Sequence, residues 1–170
     1  MAGGGPSGAG RDILGDEDPA AVRAARRAAR PSPEGTAGSV PDWDALRAAA
    51  VDAAASAYAP YSGLLVGAAA LCDDGRVVTG CNVENASYGL GVCAEVTLAG
   101  QLRLTGGGRL VALACRSGEG TLLMPCGRCR QVLYEFGGPD CLCDTPRGPR
   151  PMSEVLPDAF GPADLPSDRS

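Results

Sequence analysis

The stretch MPCGRCRQ, residues 124 to 131, places Cys126 and Cys129 three positions apart at the expected start of a helix. Cysteines at this spacing cycle as a redox couple, hold a structural zinc, or complete a catalytic zinc site. A third thiol lies upstream in GVCAE, where Cys93 is followed two positions later by Glu95. Both segments read as helix N-termini, where free N–H groups and the helix dipole favour thiolate over thiol. Three thiolates from two helix starts can hold zinc and leave its fourth position open to water, the catalytic pattern; a structural zinc requires a fourth protein ligand. Cys72, Cys81, Cys115, Cys141 and Cys143 could supply one by type, but their apolar strand contexts read as core packing. A redox pair would leave Cys93 and Glu95 without a role.

This reading makes a geometric demand. Two residues apart inside a helix differ by about 200° around its axis. Cys93 and Glu95 can serve one site only if Cys93 lies at or before the first turn.

Absent residue types narrow the chemistry further. The 170-residue chain contains no histidine, which excludes a Ser-His-Asp triad, a Cys-His pair and any His-ligated metal. It contains no lysine, which excludes a Schiff base and a complete P-loop. Net charge is −5, carried by residues 41–170, where ten arginines face fifteen acids; residues 1–40 balance five against five. An acidic body with no basic cluster argues against a nucleic-acid polymer as partner, and leaves a small uncharged substrate open. No run of eighteen apolar residues suggests a membrane span. The N-terminus has no secretory pattern, so a cytoplasmic location with reduced thiols is expected.

The elements that must position these residues follow from pattern. Residues 1–40, rich in Gly, Ala, Pro and Arg, read as a disordered extension, and residues 41–170 as one domain. Asp42 is a candidate N-cap for a helix over 42–59 with Trp43, Leu46, Ala50 and Val51 at helical spacing. Strands are predicted from Leu64 to Cys72 and from Arg76 to Val83 around an Asp73-Asp74-Gly75 turn. A helix from Cys93 to Leu104, a strand over 109–116, a helix from Cys129 to Phe136, a short strand at 141–144 and a short helix over 153–156 complete the series. Residues 145–151 read as a Pro-rich loop. A hairpin followed by strand-helix alternation predicts an α/β domain with a mixed sheet covered on both faces.

The combination of Cys93-Ala94-Glu95 with Pro125-Cys126-Gly127-Arg128-Cys129 resembles the zinc deaminase signature in its three-cysteine form. With NVENASYG (82–89), PYSGLLVGAAA (60–70) and LPDAF (156–160), the chain from Asp42 to Leu165 is similar to the small homotetrameric cytidine deaminases of nucleoside salvage. The resemblance implies a three-layer α/β/α sandwich on a five-stranded mixed sheet, with active sites completed by neighbouring subunits. It implies zinc held by Cys93, Cys126 and Cys129, with Glu95 as proton shuttle in the hydrolysis of cytidine or deoxycytidine to uridine or deoxyuridine and ammonia. It implies that Asn82 and Glu84 hold the ribose, that the Ala94 backbone holds the base, and that Phe160 packs against the base from an adjacent chain.

Two positions depart from the family pattern. Val96 stands where an arginine commonly donates to ligand thiolates, leaving Arg130, and Arg128 between the ligands, to offset a site of net charge −1. Leu64 stands where many relatives place Phe beside the base, which keeps apolar contact without stacking. These departures leave open a different aminopyrimidine nucleoside, of the kind handled by blasticidin S deaminases, or a zinc-binding homologue with an impaired site.

Overall fold

The computed structural model describes residues 40–166. The extension predicted over residues 1–40 therefore lies almost wholly outside the described residues. Helix α1 (Trp43–Ala54) starts at Asp42, whose side chain accepts a hydrogen bond from the Ala45 N–H at 3.0 Å. It ends five residues short of the predicted boundary, because Tyr58 leaves the helix to bridge Val83, its N–H donating to the Asn82 carbonyl.

Strands β1 (Val66–Cys72) and β2 (Val77–Cys81) form the predicted hairpin, with Gly75 at positive φ in the turn. Helix α2 (Ala94–Leu104), strand β3 (Leu110–Ser117), helix α3 (Gly127–Gly137), strand β4 (Leu142–Cys143), strand β5 (Arg150–Pro151) and helix α4 (Met152–Val155) follow. The sheet order is β2-β1-β3-β4-β5, with β3 and β4 parallel and the other pairs antiparallel. This is the mixed five-stranded sheet of the expected sandwich. β5 falls in the segment read as loop. It is two residues long and one of them is proline, which suits an edge strand alone.

Side-chain alternation along the strands builds two cores. Ala69, Ala112 and Ala114 face α1 and pack with Leu46 and Ala50. Ala68, Ala70, Leu113 and Cys115 face the opposite way and pack with Leu98, Leu102 and Leu133 of α2 and α3. Four of the five non-cluster cysteines are buried as expected; Cys81 is half-exposed and donates to the Ser56 carbonyl at 3.4 Å. Cys141 and Cys143 share the α2/α3 face.

Glycines set how closely helices approach. A Cβ on Gly67 would lie 1.9 Å from the Ala50 carbonyl oxygen of α1. One on Gly80 would lie 2.4 Å from the Ala94 carbonyl oxygen and from the Leu98 nitrogen of α2. Gly80 thus seats the first turns of α2 directly on the sheet.

Candidate active site

Cys93 is the N-cap of α2 and Cys126 the N-cap of α3, both in extended backbone. Cys129 sits within the first turn of α3 and is buried. The geometric demand is met: Cys93 lies before the first turn, so it and Glu95 line one cleft. The Sγ atoms of Cys93, Cys126 and Cys129 lie within 4.8 Å of one another, and among the described residues no fourth side chain joins them. A tetrahedral zinc with Zn–S bonds of about 2.3 Å holds sulfurs at a comparable separation. The donor set therefore fits zinc, with three protein ligands and one position left for water.

Electrostatics distinguish the three thiols. The Cys129 N–H holds the Cys126 thiol below its usual range, whereas burial pushes Cys93 and Cys129 up. Neither arginine donates to a thiol. Arg130 donates from Nε to the Pro125 carbonyl at 2.8 Å and from Nη1 to the Val155 carbonyl at 3.0 Å. It ties the segment before Cys126 to α4. Arg128 is exposed. With Val96 at the family arginine position, the two helix N-termini that carry Cys93 and Cys126 supply partial positive charge to the thiols.

The cleft above the cluster has a volume of about 730 Å³, within the range of small-molecule sites. Asn82, Glu84, Ala94 and Leu64 line it with Glu95. The Asn82 side-chain oxygen Oδ1 accepts from the Val66 N–H at 2.8 Å, and its Nδ2 donates to the Leu64 backbone carbonyl at 2.9 Å. Asn82 thereby fixes the backbone on which Leu64, 51% exposed, faces the cleft. Glu84 accepts from the N–H groups of Tyr61 and Ser62 and from the Ser62 hydroxyl. These bonds, the hydroxyl first, hold its carboxyl below the usual range. Tyr61 meets Tyr88 edge-on at 6.2 Å beside them. Phe160 is 60% exposed and outside the cleft of its own chain; its carbonyl accepts from Gln131.

Sequence reasoning missed the partners of Glu84. The PYSG turn carries a signal for them, since Ser favours such hydroxyl and N–H presentation. It also missed the contact of Cys115 with Glu95, to which no local spacing points.

A three-layer α/β/α sandwich with three thiols and a carboxylate at two adjoining helix N-termini defines a hydrolytic zinc-site protein. A family model described as "Cytidine and deoxycytidylate deaminase zinc-binding region" matches residues 42–145. A cytidine deaminase of Mycobacterium tuberculosis is 63% identical over 128 residues, covering 75% of this chain and 96% of that protein. A cytidine deaminase of Halalkalibacterium halodurans is 41% identical over 125 residues, covering 68% and 92%. The crystal structure of the M. tuberculosis enzyme superimposes with a TM-score of 0.71 at 63% identity, covering 72% of this chain and 99% of that one. That of the Mycobacterium leprae enzyme gives 0.68 at 56% identity, covering 69% and 99%. The chain belongs to the cytidine and deoxycytidylate deaminase family.

Proposed function

We propose that this protein hydrolyses cytidine and deoxycytidine to uridine and deoxyuridine, releasing ammonia, in pyrimidine salvage. The observation that carries the reading is the three-thiol cluster at a cleft with ample room for a nucleoside, with Cys93, Cys126 and Glu95 in its lining. Cys93, Cys126 and Cys129 would hold zinc, which when bound would supply a water acidic enough to ionise near neutral pH. Glu95 accepts the proton of that water, delivers it to N3 of the pyrimidine, and then protonates the departing amine. Asn82 and Glu84 receive the ribose hydroxyls. Glu84 is ionised and accepts only, so it suits a hydroxyl donor. The Ala94 backbone and Leu64 flank the base.

The lining favours a free nucleoside over a nucleotide. Among the described residues, two carboxylates, Glu84 and Glu95, line the cleft and no arginine does. A 5′-phosphate would meet negative charge with no cation to pair it. The same consideration disfavours a polynucleotide.

The assembly is read as a homotetramer with shared sites. Tyr88, Leu90 and Phe160 are 82%, 66% and 60% exposed, an apolar surface suited to a neighbouring subunit. Phe160 would reach the base of the adjacent chain's cleft. Among the described residues, no helix is long and apolar enough to cross a membrane. Three thiolate ligands require a reducing compartment, which suits the cytoplasm.

Ultraviolet-monitored turnover of cytidine, deoxycytidine and cytidine 5′-monophosphate by zinc-loaded protein tests the reading, with mass measured in solution. Turnover of both nucleosides with the nucleotide at least a hundredfold poorer, and a four-chain mass, is expected. Preference for the nucleotide would overturn the substrate assignment.

A further inference from the structure

Glu95 is buried, 5% exposed, and its carboxylate must hold one orientation to move protons within the cleft. Its helix does not fix it: Glu95 lies in the first turn of α2, with its side chain directed at the sheet. Two thiols approach this carboxylate: that of Cys129, itself in the three-thiol cluster, and that of Cys115 on β3, Sγ to Oε1 at 3.5 Å, with Glu95 and Cys115 both buried. A sulfur donor bonds at longer range than nitrogen or oxygen, so 3.5 Å is an ordinary contact for it.

Strand alternation explains why this thiol is available. Cys115 faces the α2/α3 layer, whereas Arg116 faces α1, donating there to Asp144. Cys115 is 2% exposed, in the middle of the longest strand, flanked by Leu113 on the same face. It belongs to a strand paired on both sides rather than to a loop. Burial, then the charge of Glu95, pushes its thiol well above the usual range, so it remains an S–H donor.

We propose that Cys115 is a positioning residue for the deamination: its buried thiol donates to Oε1 of Glu95 and leaves the second carboxylate oxygen to carry the proton. This inference rests on the role of Glu95 given above. Cysteine serves here as a hydrogen-bond donor that is also apolar enough for a core strand. The five non-ligand cysteines then divide by function, because Cys115 alone among them contacts the reacting carboxylate.

The experiment compares zinc-loaded wild-type protein with Cys115→Ala, Cys115→Ser and Glu95→Gln. Zinc content, melting temperature, kcat and KM for cytidine and the infrared S–H stretching band are recorded for each. Cys115→Ala should lower kcat about tenfold, the equivalent of about 1.4 kcal/mol, with KM and zinc content unchanged. Cys115→Ser should recover most of that loss, since its hydroxyl restores the donor. The S–H band that disappears in Cys115→Ala should move in Glu95→Gln, where the acceptor loses its charge. An unchanged kcat in Cys115→Ala would overturn the proposal. So would an equal loss in Cys115→Ser, or an S–H band indifferent to Glu95→Gln. If Cys115→Ala fails to fold, the serine variant and the band shift still decide the matter. Full activity in Glu95→Gln would instead overturn the role of Glu95, a separate failure.

Discussion

The two faces of one sheet solve opposite problems with buried charge. On the α1 face, Asp144 is 1% exposed and is satisfied by Arg116 and by Arg47, whose Nε and Nη2 lie 2.9 and 3.1 Å from its carboxylate oxygens. The core on this face is built largely of small residues, Ala50, Ala69, Ala112 and Ala114 around Leu46. On the α2/α3 face, none of the ion pairs among the described residues involves Glu95. The Cys115 thiol, a weak donor, approaches it at 3.5 Å, and the three clustered thiols lie beside it. A carboxylate paired with two guanidinium groups is a structural device; Glu95, beside the three thiols and lining the cleft, is placed to work on a substrate. Neighbouring residues of one strand, Cys115 and Arg116, support the two arrangements.

Glu95→Gln gives the largest expected contrast. Loss of a positioned acid–base costs about 10²–10⁴-fold in rate. Turnover of cytidine should fall by that factor while zinc content and melting temperature hold. An active variant would remove the chemical half of the comparison.

The glycines test whether the faces are separable. Gly80→Ala would push the first turns of α2, with Cys93 and Glu95, off the sheet; zinc affinity and kcat should each fall at least tenfold. Gly67→Ala presses on α1 instead. It should lower stability by about 3 kcal/mol in chemical unfolding, while the folded fraction keeps its kcat. Equal effects on kcat would show that the faces are not independent.

Asp144→Asn sharpens the contrast through pH. Burial opposes ionisation of Asp144, but the bonds from Arg47 and Arg116 outweigh it, so its pKa lies below the usual value. A depressed folded pKa gives stability that is complete above the unfolded pKa of about 3.9 and is lost as pH falls through the folded value. The variant should lose about 2–3 kcal/mol at neutral pH. Its deficit should shrink below pH ~4, and its kcat should stay near the parent's. Unfolding curves at several pH values check the sign.

Leu64→Phe carries the smallest effect. Restoring an aromatic face beside the base is worth about 0.5–1.5 kcal/mol, so KM for cytidine should drop by about twofold to tenfold with little change in kcat. A rise in KM would mean that the cleft is shaped for a different base.

Much of the reacting half was legible in the sequence, because ligand spacing and helix starts are local. Cys93 and Cys126 read as helix N-termini, and both are N-caps. The packing half was legible only as composition. Arg116 and Asp144 are 28 positions apart and Arg47 is 97 from Asp144, so no local pattern announces their cluster. Cys115 read correctly as core, yet its contact with Glu95 depends on how α2 seats on β3. The two-residue β5 escaped notice because proline and a short length erase any alternation.

Titrating zinc into metal-free protein while following both bound metal and cytidine turnover tests the central claim most directly. Turnover should rise in proportion to bound zinc and stop at one zinc per chain. Saturation at one zinc per chain without turnover, or undiminished turnover by the metal-free protein, would contradict the assignment of chemistry to the α2/α3 face.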